Sequence, residues 1–130
     1  MNNIKYEKIN SITLEITTGT QRRSSTDDRI ELYIGSHKWL LDIQNHDDFE
    51  KGKTDVYKLD VPKGMDSSWF RYLCLKKISK SVSDDDWLLD KIKLTINGNL
   101  IYEKAKINHW LKDNETSWCA PDFKYGNAKD

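Results

Sequence analysis

The sequence predicts an all-β fold, a single eight-stranded antiparallel β-sandwich. Apolar and polar residues alternate in several short runs, as expected of strands with one buried and one solvated face. Turn residues separate these runs, and 130 residues is an ordinary size for one domain. We therefore predict one domain over residues 1–130, with a core from about residue 10 to 119 and a flexible tail over 121–130.

Each strand follows from the same alternation. The predicted strands, in chain order, are residues 12–16, 30–34, 37–42, 54–61, 69–77, 92–96, 100–104 and 115–119. Asn97 and Gly98 indicate a hairpin between two of them, because a type I′ turn needs positive φ at both central positions. Helix signals are few: residues 107–112 predict one helical turn, with Trp110 inserted into the core.

The two cysteines, Cys74 and Cys119, fit neither a zinc site nor a Cys-x-x-Cys redox motif. Cys74 lies in an apolar run and is interpreted as a small buried hydrophobic residue. A disulfide between the two cysteines is the alternative, and it is the less favoured one because no secretion signal accompanies it.

Composition excludes several classes of function. Lys plus Arg and Asp plus Glu each count 21, so the net charge is zero, whereas general nucleic-acid binding needs an excess of cations. We find no nucleophile elbow, phosphate-binding glycine loop or metal-binding histidine pair, so no enzyme and no small-molecule substrate is predicted. Without a signal peptide or membrane-spanning run, we expect a cytoplasmic location or export by a non-classical route.

The connections between strands bring acidic residues together. In an antiparallel sandwich, alternate connections lie at the same end, so residues 19–28, 43–53 and 78–86 would meet there. The acidic residues within or beside these connections are Asp27, Asp28, Asp42, Asp47, Asp48, Glu50, Asp84, Asp85 and Asp86. Converging carboxylates favour Ca²⁺, which takes about six to eight oxygen ligands from flexible loops. The alternative is a set of solvated turns, since Asp side chains cap nearby backbone amides.

Basic and apolar residues accompany the carboxylates at this end. The cations are Arg22, Arg23, Lys76, Lys77 and Lys80. Near an anionic membrane each would contribute about 1 kcal/mol through lipid phosphates. Ile78 and Val82 would add apolar contact with the lipid.

Several segments resemble the PLAT (LH2) domain family, a C2-like sandwich. The matching segments are residues 17–35, with Thr-Gly and later Ser-Thr-Asp-Asp, residues 48–57, with Asp-Phe and Gly-Lys-Thr-Asp, residues 87–98, and the closing tryptophan motif at 107–111. Together they span about residues 10–118 in the family's order, and the branch that forms the membrane-binding domain of clostridial alpha-toxins looks most similar.

The resemblance implies calcium-assisted attachment to lipid surfaces or attachment to protein partners. Carried over position by position, the calcium-ligand loops fall on Ser25 and Thr26, on Asp42, Asp47 and Asp48, and on Asp85 and Asp86. With Asp27 from the loop geometry, the predicted metal ligands are Thr26, Asp27, Asp42, Asp47, Asp48, Asp85 and Asp86. The predicted lipid or partner contacts are Lys76, Lys77, Lys80, Ile78 and Val82.

Two departures from this branch bear on calcium. Arg23 stands where the branch has an acidic ligand, and Ser25 stands where the family has a glycine. An arginine there would neutralise carboxylates in place of a cation. The connection at residues 78–86, the fifth in chain order, also lacks the aromatic residues that would enter lipid.

We therefore predict a non-catalytic module that attaches to membrane lipid with Ca²⁺ as its cofactor. The alternative is a protein-docking module that needs no calcium and uses Tyr33, Trp39 or Trp69 as anchors. A sugar-binding sandwich is a third hypothesis, suggested only by tryptophans on a β scaffold.

Overall fold

The computed structural model describes residues 6–42, 47–78 and 86–125. Their strands are β1 Ile12–Thr18, β2 Arg29–Ile34, β3 His37–Leu40, β4 Thr54–Leu59, β5 Leu73–Ile78, β6 Trp87–Ile96, β7 Asn99–Lys104, β8 His109–Leu111 and β9 Ser117–Cys119. A single turn of 3₁₀ helix, Ser67–Trp69, precedes β5. In this part of the chain no helix has the length and apolarity that crossing a bilayer requires.

The strands form two antiparallel sheets. One has the order β4-β1-β6-β7, with β8 also pairing with β6, and the other has the order β3-β2-β5-β9. The prediction of an all-β antiparallel sandwich is confirmed. The described residues form one strand more than predicted, because residues 109–111 pair with β6 as β8 instead of forming a helical turn. Three residues are too few for hydrophobic periodicity to separate a strand from a turn of helix.

The core lies between the two sheets. Burial alternates along β1 without exception, and the inward leucines Leu14, Leu32, Leu75 and Leu94 have no exposed surface. Burying one such side chain contributes about 1.5–3 kcal/mol. The alternation seen in the sequence therefore describes how the two sheets face each other.

Strand register separates the connections into two groups. Thr17 at the end of β1 pairs with Thr54 at the start of β4, and Arg29 at the start of β2 pairs with Ile78 at the end of β5. The connections of residues 19–28, 41–53 and 79–86 therefore leave from one end, here called the acidic end. The turns after β2, β4 and β6 lie at the opposite end, here called the far end.

A disulfide joins Cys74 and Cys119. The two residues are directly opposite each other on β5 and β9, with their Cα atoms 4.1 Å apart. Interpreting Cys74 as an isolated buried hydrophobic residue was wrong. The pairing depends on the register between strands that are distant in sequence, which the local pattern around either cysteine does not contain.

The segment after β9 is partly docked, so the expectation of a flexible tail over 121–130 is wrong for residues 121–125. Tyr125 is 7% exposed, donates a hydrogen bond to Glu7 and packs against Phe70 with ring centroids 5.0 Å apart. The Tyr102 hydroxyl donates to the Asp122 carboxylate over 2.7 Å. Residues 126–130 lie outside the described residues.

Removing the disulfide tests its contribution to stability. The cysteines are 45 residues apart in sequence, so the bond restricts a long loop in the unfolded chain. We expect the double change Cys74→Ala and Cys119→Ala to lower the free energy of unfolding by about 2–4 kcal/mol, measured by urea denaturation. Wild-type protein in strong reductant should show a similar loss, and an unchanged denaturation midpoint in both cases would contradict the expectation.

Candidate functional site

An open cavity of about 330 Å³ lies at the acidic end. The connection after β1 (residues 19–28, the first connection) and the connection after β3 (residues 41–53, the third connection) both contribute to its wall. Five carboxylates line it, those of Asp27, Asp28, Asp42, Asp47 and Asp48, together with Thr26, Arg29 and Leu40. The predicted meeting of these two connections is therefore present, and it collects carboxylates up to 21 positions apart in the sequence.

Hydrogen bonds hold the first connection against the third. The Thr26 amide donates to the Phe49 carbonyl over 3.2 Å, and the Lys51 amide donates to the Ser25 hydroxyl over 2.7 Å. The hydroxyl of Thr26, a predicted ligand, accepts the amide of Asp28 at 3.1 Å, which shapes the turn that carries Asp27. Ser25 thus supplies a side chain that ties the two connections together.

Phe49 anchors the third connection in the core. It is 3% exposed, and its ring lies 5.1 Å from Trp87 and 6.1 Å from Tyr57, measured between centroids. Its backbone has a φ of 60°, and its amide donates to the buried Asp55 carboxylate over 2.8 Å. Sequence reasoning assigned no role to Asp55, although an inward-facing carboxylate at the start of a strand was a usable signal.

The carboxylates create a strongly negative environment. Burial raises the pKa of Tyr57, and the charges of Asp48, Asp55 and Asp42 raise it further. Burial also raises the pKa of Glu50, with additional effects from Asp27, Asp47 and Asp55. Both shifts have the direction expected where negative charges exceed nearby cations. Around Tyr57 and Glu50 the carboxylates of the acidic end therefore act in the same direction as burial.

The predicted ligands are not equally placed. Asp27, Asp42 and Asp47 are exposed on the cavity wall and Asp48 is half-buried. Asp86 is exposed at the start of β6 and is not part of the wall. Asp85 lies outside the described residues.

The donor set of the cavity suits a metal ion in its chemistry but not in its arrangement. Across residues 6–42, 47–78 and 86–125, no group of three or more His, Cys, Asp or Glu side chains is arranged to hold one. The cavity nonetheless offers carboxylate oxygens on irregular loops, which suits Ca²⁺, and its lining among the described residues includes neither the thiolate nor the imidazole ligands typical of zinc. The chemistry of the donors fits calcium, while the carboxylates are not pre-assembled into a cage.

Arg23 and Arg29 are placed differently relative to the cavity. Arg23, considered from sequence as a substitute for the cation, is exposed and has a φ of 63°. The arginine on the cavity wall is instead Arg29, which sequence reasoning did not single out. Its position as the first residue of β2, next to the acidic turn, was the available signal.

Comparison with known proteins identifies the family. The family model described as the PLAT/LH2 domain matches residues 12–119. The chain belongs to the PLAT/LH2 family. The resemblance inferred from the sequence is thereby confirmed, as is its relation to the clostridial toxins.

Two relatives of this PLAT domain are clostridial enzymes. Phospholipase C of Clostridium novyi is 31% identical over 116 residues, which cover 83% of this chain and 28% of the enzyme. Phospholipase C of Clostridium perfringens is 27% identical over 118 residues, covering 85% of this chain and 29% of the enzyme. The chain thus spans less than a third of each.

Solved structures share the fold. Alpha-toxin from Clostridium absonum superposes with a TM-score of 0.78 at 22% identity, over 87% of this chain and 31% of the toxin. Coral 8R-lipoxygenase superposes with a TM-score of 0.67 at 18% identity, over 85% of this chain and 16% of the enzyme. The lipoxygenase structure is described as showing calcium activation through a C2-like domain.

Lys77 was predicted to contact lipid, and the structure corrects this prediction. Its side chain has no exposed surface, and its ammonium lies 2.6 Å from the Asp28 carboxylate and 3.2 Å from that of Asp113. The reason is the alternation in β5, where Lys77 shares the inward face with Leu73 and Leu75. The ammonium is therefore inaccessible to a headgroup.

The other predicted lipid contacts have different outcomes. Lys76 is exposed and Ile78 is half-buried at the end of β5, so both remain candidate contacts. Lys80 and Val82 lie outside the described residues.

The aromatic anchors of the docking alternative are all half-buried. The Trp39 indole donates to the Asp60 carbonyl over 2.8 Å, and the Tyr33 hydroxyl donates to Glu31 over 2.9 Å. Trp69 packs against the core cluster. Much of the surface of these rings is already used within the domain.

The buried ion pair makes a prediction about stability. Changing Lys77→Met removes the buried ammonium that contacts the Asp28 carboxylate, which is 6% exposed. We expect the free energy of unfolding to fall by about 3–5 kcal/mol, measured by urea denaturation. The matched control Lys76→Met alters the exposed neighbour and should cost less than about 1 kcal/mol. Equal losses from the two variants would show that the buried pair has no special role.

The pH dependence of this pair has a definite sign. Burial alone would lower the pKa of Lys77, but hydrogen bonds to Asp28 and Asp113 outweigh burial and the pKa is raised. A raised lysine pKa stabilises the fold below the ordinary value of 10.5, and the stabilisation is lost as pH rises through the folded-state pKa. The difference in the free energy of unfolding between wild type and Lys77→Met should therefore be at its full value at neutral pH and should fall only at strongly alkaline pH.

The raised pKa of Glu50 predicts an unfavourable charge on the folded domain. Without calcium, Glu50→Gln should raise stability at pH 7, by less than about 1 kcal/mol because Glu50 is half-buried and screened. The penalty is complete above the folded-state pKa and absent below the ordinary value of 4.5, so the gain should vanish in acid. Melting curves from pH 3 to pH 8 measure it.

The control for this experiment is Glu103→Gln. Glu103 lies 3.2 Å from the Lys91 ammonium, so neutralising it should bring no gain. Destabilisation by Glu50→Gln at pH 7 in the absence of calcium would contradict the proposed charge repulsion.

Proposed function

We propose that this PLAT domain is a non-catalytic module that attaches to phospholipid surfaces through Ca²⁺ at its acidic end. The observation that carries the proposal is the open cavity in which exposed carboxylates from separate connections meet. The relationship to clostridial phospholipases, and the calcium activation ascribed to the C2-like domain of coral 8R-lipoxygenase, support it.

Four carboxylates of the cavity are the proposed ligands in the described part of the chain: Asp27, Asp42, Asp47 and Asp48. Asp85 and Asp86 would complete the set from the fifth connection. A bound Ca²⁺ would supply positive charge that both the loop carboxylates and a lipid phosphate can share. Asp27, Asp42 and Asp47 are exposed, so their side chains change rotamer readily and need not begin in ligand geometry.

Asp28 is assigned a different role. Its carboxylate is engaged by Lys77 inside the sandwich, so it stabilises the wall of the cavity. The buried Thr26 supports the same turn through the Asp28 amide.

The lipid contacts are proposed from exposure around the cavity. Leu40 is 50% exposed at the end of β3 and lines the cavity beside Arg29. Leu40 would enter the interfacial layer while Arg29 contacts phosphate, a group that guanidinium binds well. Lys76, Lys80, Ile78 and Val82 are proposed as further contacts, and Lys77 is no longer among them.

The disulfide supports a proposal about location. Disulfides persist in oxidising compartments and are rare in the cytosol, and Cys74 and Cys119 are bonded. Of the two expected locations, we therefore propose export and action outside the cytoplasm. Finding the purified native protein with both thiols reduced would argue for the cytoplasm.

A calcium titration tests the proposed ligands. Calcium should raise the melting temperature, with stabilisation of about 2.7 kcal/mol when its concentration is 100 times the Kd. Asp42→Asn combined with Asp47→Asn should abolish the shift, whereas Asp60→Asn, an exposed carboxylate outside the cavity, should retain it. If calcium does not change the wild-type melting temperature, the protein does not bind this ion. If calcium shifts the double variant and Asp60→Asn equally, the ion binds elsewhere than at the proposed ligands.

Sedimentation with vesicles tests the lipid contact. Vesicles of phosphatidylcholine with phosphatidylserine should bind wild type with calcium and release it with EDTA. Leu40→Ser should weaken binding by about tenfold, since burying a leucine contributes about 1.5 kcal/mol or more. Leu100→Ser is the matched control, because Leu100 is 53% exposed but lies after the far-end turn.

The outcomes separate the two functions. Equal effects of the two leucine changes would reject Leu40 as the anchor. If the wild-type protein responds neither to calcium nor to anionic lipid, lipid attachment is excluded and the protein-docking module is favoured.

A further inference from the structure

A second open cavity, also about 330 Å³, lies at the far end. The turn after β2 and the segment before β5 form its walls. Its lining residues are Gly35, Ser36, Ser68, Trp69, Arg71 and Tyr72, and we call it the far-end pocket. Nothing in the proposed calcium site uses these residues.

The two walls of the far-end pocket are held together by the backbone. Gly35 has a φ of 57° and its amide donates to the Tyr72 carbonyl over 3.0 Å. A Cβ atom at Gly35 would lie only 2.3 Å from the Trp69 carbonyl oxygen, so no other residue fits without moving the wall. The pocket is therefore formed before any ligand arrives, which lowers the entropic cost of binding.

Two side chains of the pocket lining, those of Ser68 and Trp69, also have partners within the fold. Asp66 accepts hydrogen bonds from both the amide and the hydroxyl of Ser68. The His37 ring lies 6.1 Å from that of Trp69 and 4.5 Å from that of Trp39, between centroids. With its proton directed to Asp66, the Ser68 hydroxyl oxygen retains capacity to accept a hydrogen bond.

The lining combines aromatic rings with hydrogen-bonding groups. Tyr72 is 59% exposed, the largest exposure among the large hydrophobic residues of the described chain, and Trp69 is half-buried. Arg71 and Ser36 are exposed. Aromatic faces carry negative charge density and pack well against the C–H face of a sugar ring, while hydroxyl and guanidinium groups match the ring's oxygen atoms.

We propose that the far-end pocket binds one pyranose ring of a glycan, with the ring on Tyr72 and Trp69. The cavity is at the lower limit of volumes usual for ligand sites, about 300 Å³, which suits one ring. Arg71 adds selectivity, because its guanidinium fork pairs in bidentate fashion with a carboxylate. An acidic sugar therefore binds more tightly than a neutral one.

The location separates this pocket from the lipid site. Arg29 lines the acidic cavity and Gly35 lines the far-end pocket, and six residue steps of extended chain between them span about 20 Å. A membrane at the acidic end leaves the far end directed away from it. The inference thus goes beyond lipid attachment and does not require it.

Nuclear magnetic resonance titration tests the inference with three probes: glucuronate, glucose and cyclohexanecarboxylate. We expect glucuronate at millimolar concentration to shift the amide signals of the lining residues, with weaker binding of glucose. Cyclohexanecarboxylate carries the ring size and charge without hydroxyl groups and should bind more weakly than glucuronate. Calcium and EDTA should make no difference, so this result is independent of the acidic end.

Variants assign the roles of two side chains. Tyr72→Ala should weaken glucuronate binding by about tenfold or more, which corresponds to about 1.4 kcal/mol, and Arg71→Gln should remove the preference for glucuronate over glucose. The matched controls are Tyr6→Ala and Arg22→Gln, exposed residues outside the pocket lining. Melting curves show whether each variant is folded.

Four results would overturn the inference. They are the absence of shifts with either sugar, shifts confined to residues away from the pocket, equal binding of cyclohexanecarboxylate and glucuronate, and unchanged sugar binding in folded Tyr72→Ala. Loss of only the glucuronate preference in Arg71→Gln supports it.

Discussion

Lys77 places a positive charge inside the sandwich, where it joins β5 to two other parts of the acidic end through Asp28 and Asp113. A buried ammonium is tolerated only where its partners are close and well oriented. This requirement holds the Asp28 turn against β5 and the residues before β9. The first connection therefore has a defined position even though its neighbours in the cavity wall are carboxylates that repel one another.

The acidic end consequently has two layers of carboxylates, an inner layer bonded within the fold and an outer layer that faces solvent. Asp28 and Asp55 lie within the fold and accept hydrogen bonds from Lys77 and from the Phe49 amide. Asp27, Asp42 and Asp47 face solvent on the cavity wall. The inner charges are satisfied by the protein, whereas the outer ones face solvent, where the proposed Ca²⁺ would bind them. Burial, followed by the charges of Asp27, Asp47 and Asp55, raises the pKa of Glu50, so these outer carboxylates add to the cost of ionising it.

Much of this arrangement was predictable from the sequence because it depends on strand alternation. Antiparallel strands of similar length place alternate connections at the same end, and this predicted the meeting of Asp27 with Asp42 and Asp48. The same alternation in β5 places Lys77 on the inward face, beside the core. Its burial was missed because Lys76 and Lys77 were considered together as one basic pair. The disulfide and the docking of Tyr125 were not predictable, since both depend on contacts between distant segments. The strand β8 was not predictable either, because its three residues are too few to show hydrophobic periodicity.

The sandwich gives its two ends independent chemistry. β2 runs from Arg29 at one cavity to Ile34 beside the other, and the strand interior between them is a buried apolar core with Leu32 fully enclosed. Close-packed cores of this kind hold their strands in place, so a change of side chain in one set of turns need not shift the other set. One end can therefore keep excess carboxylates while the other presents aromatic rings with Arg71. Substitutions at sites this far apart, with no shared partners, are expected to act additively, which makes the two ends separable by mutation.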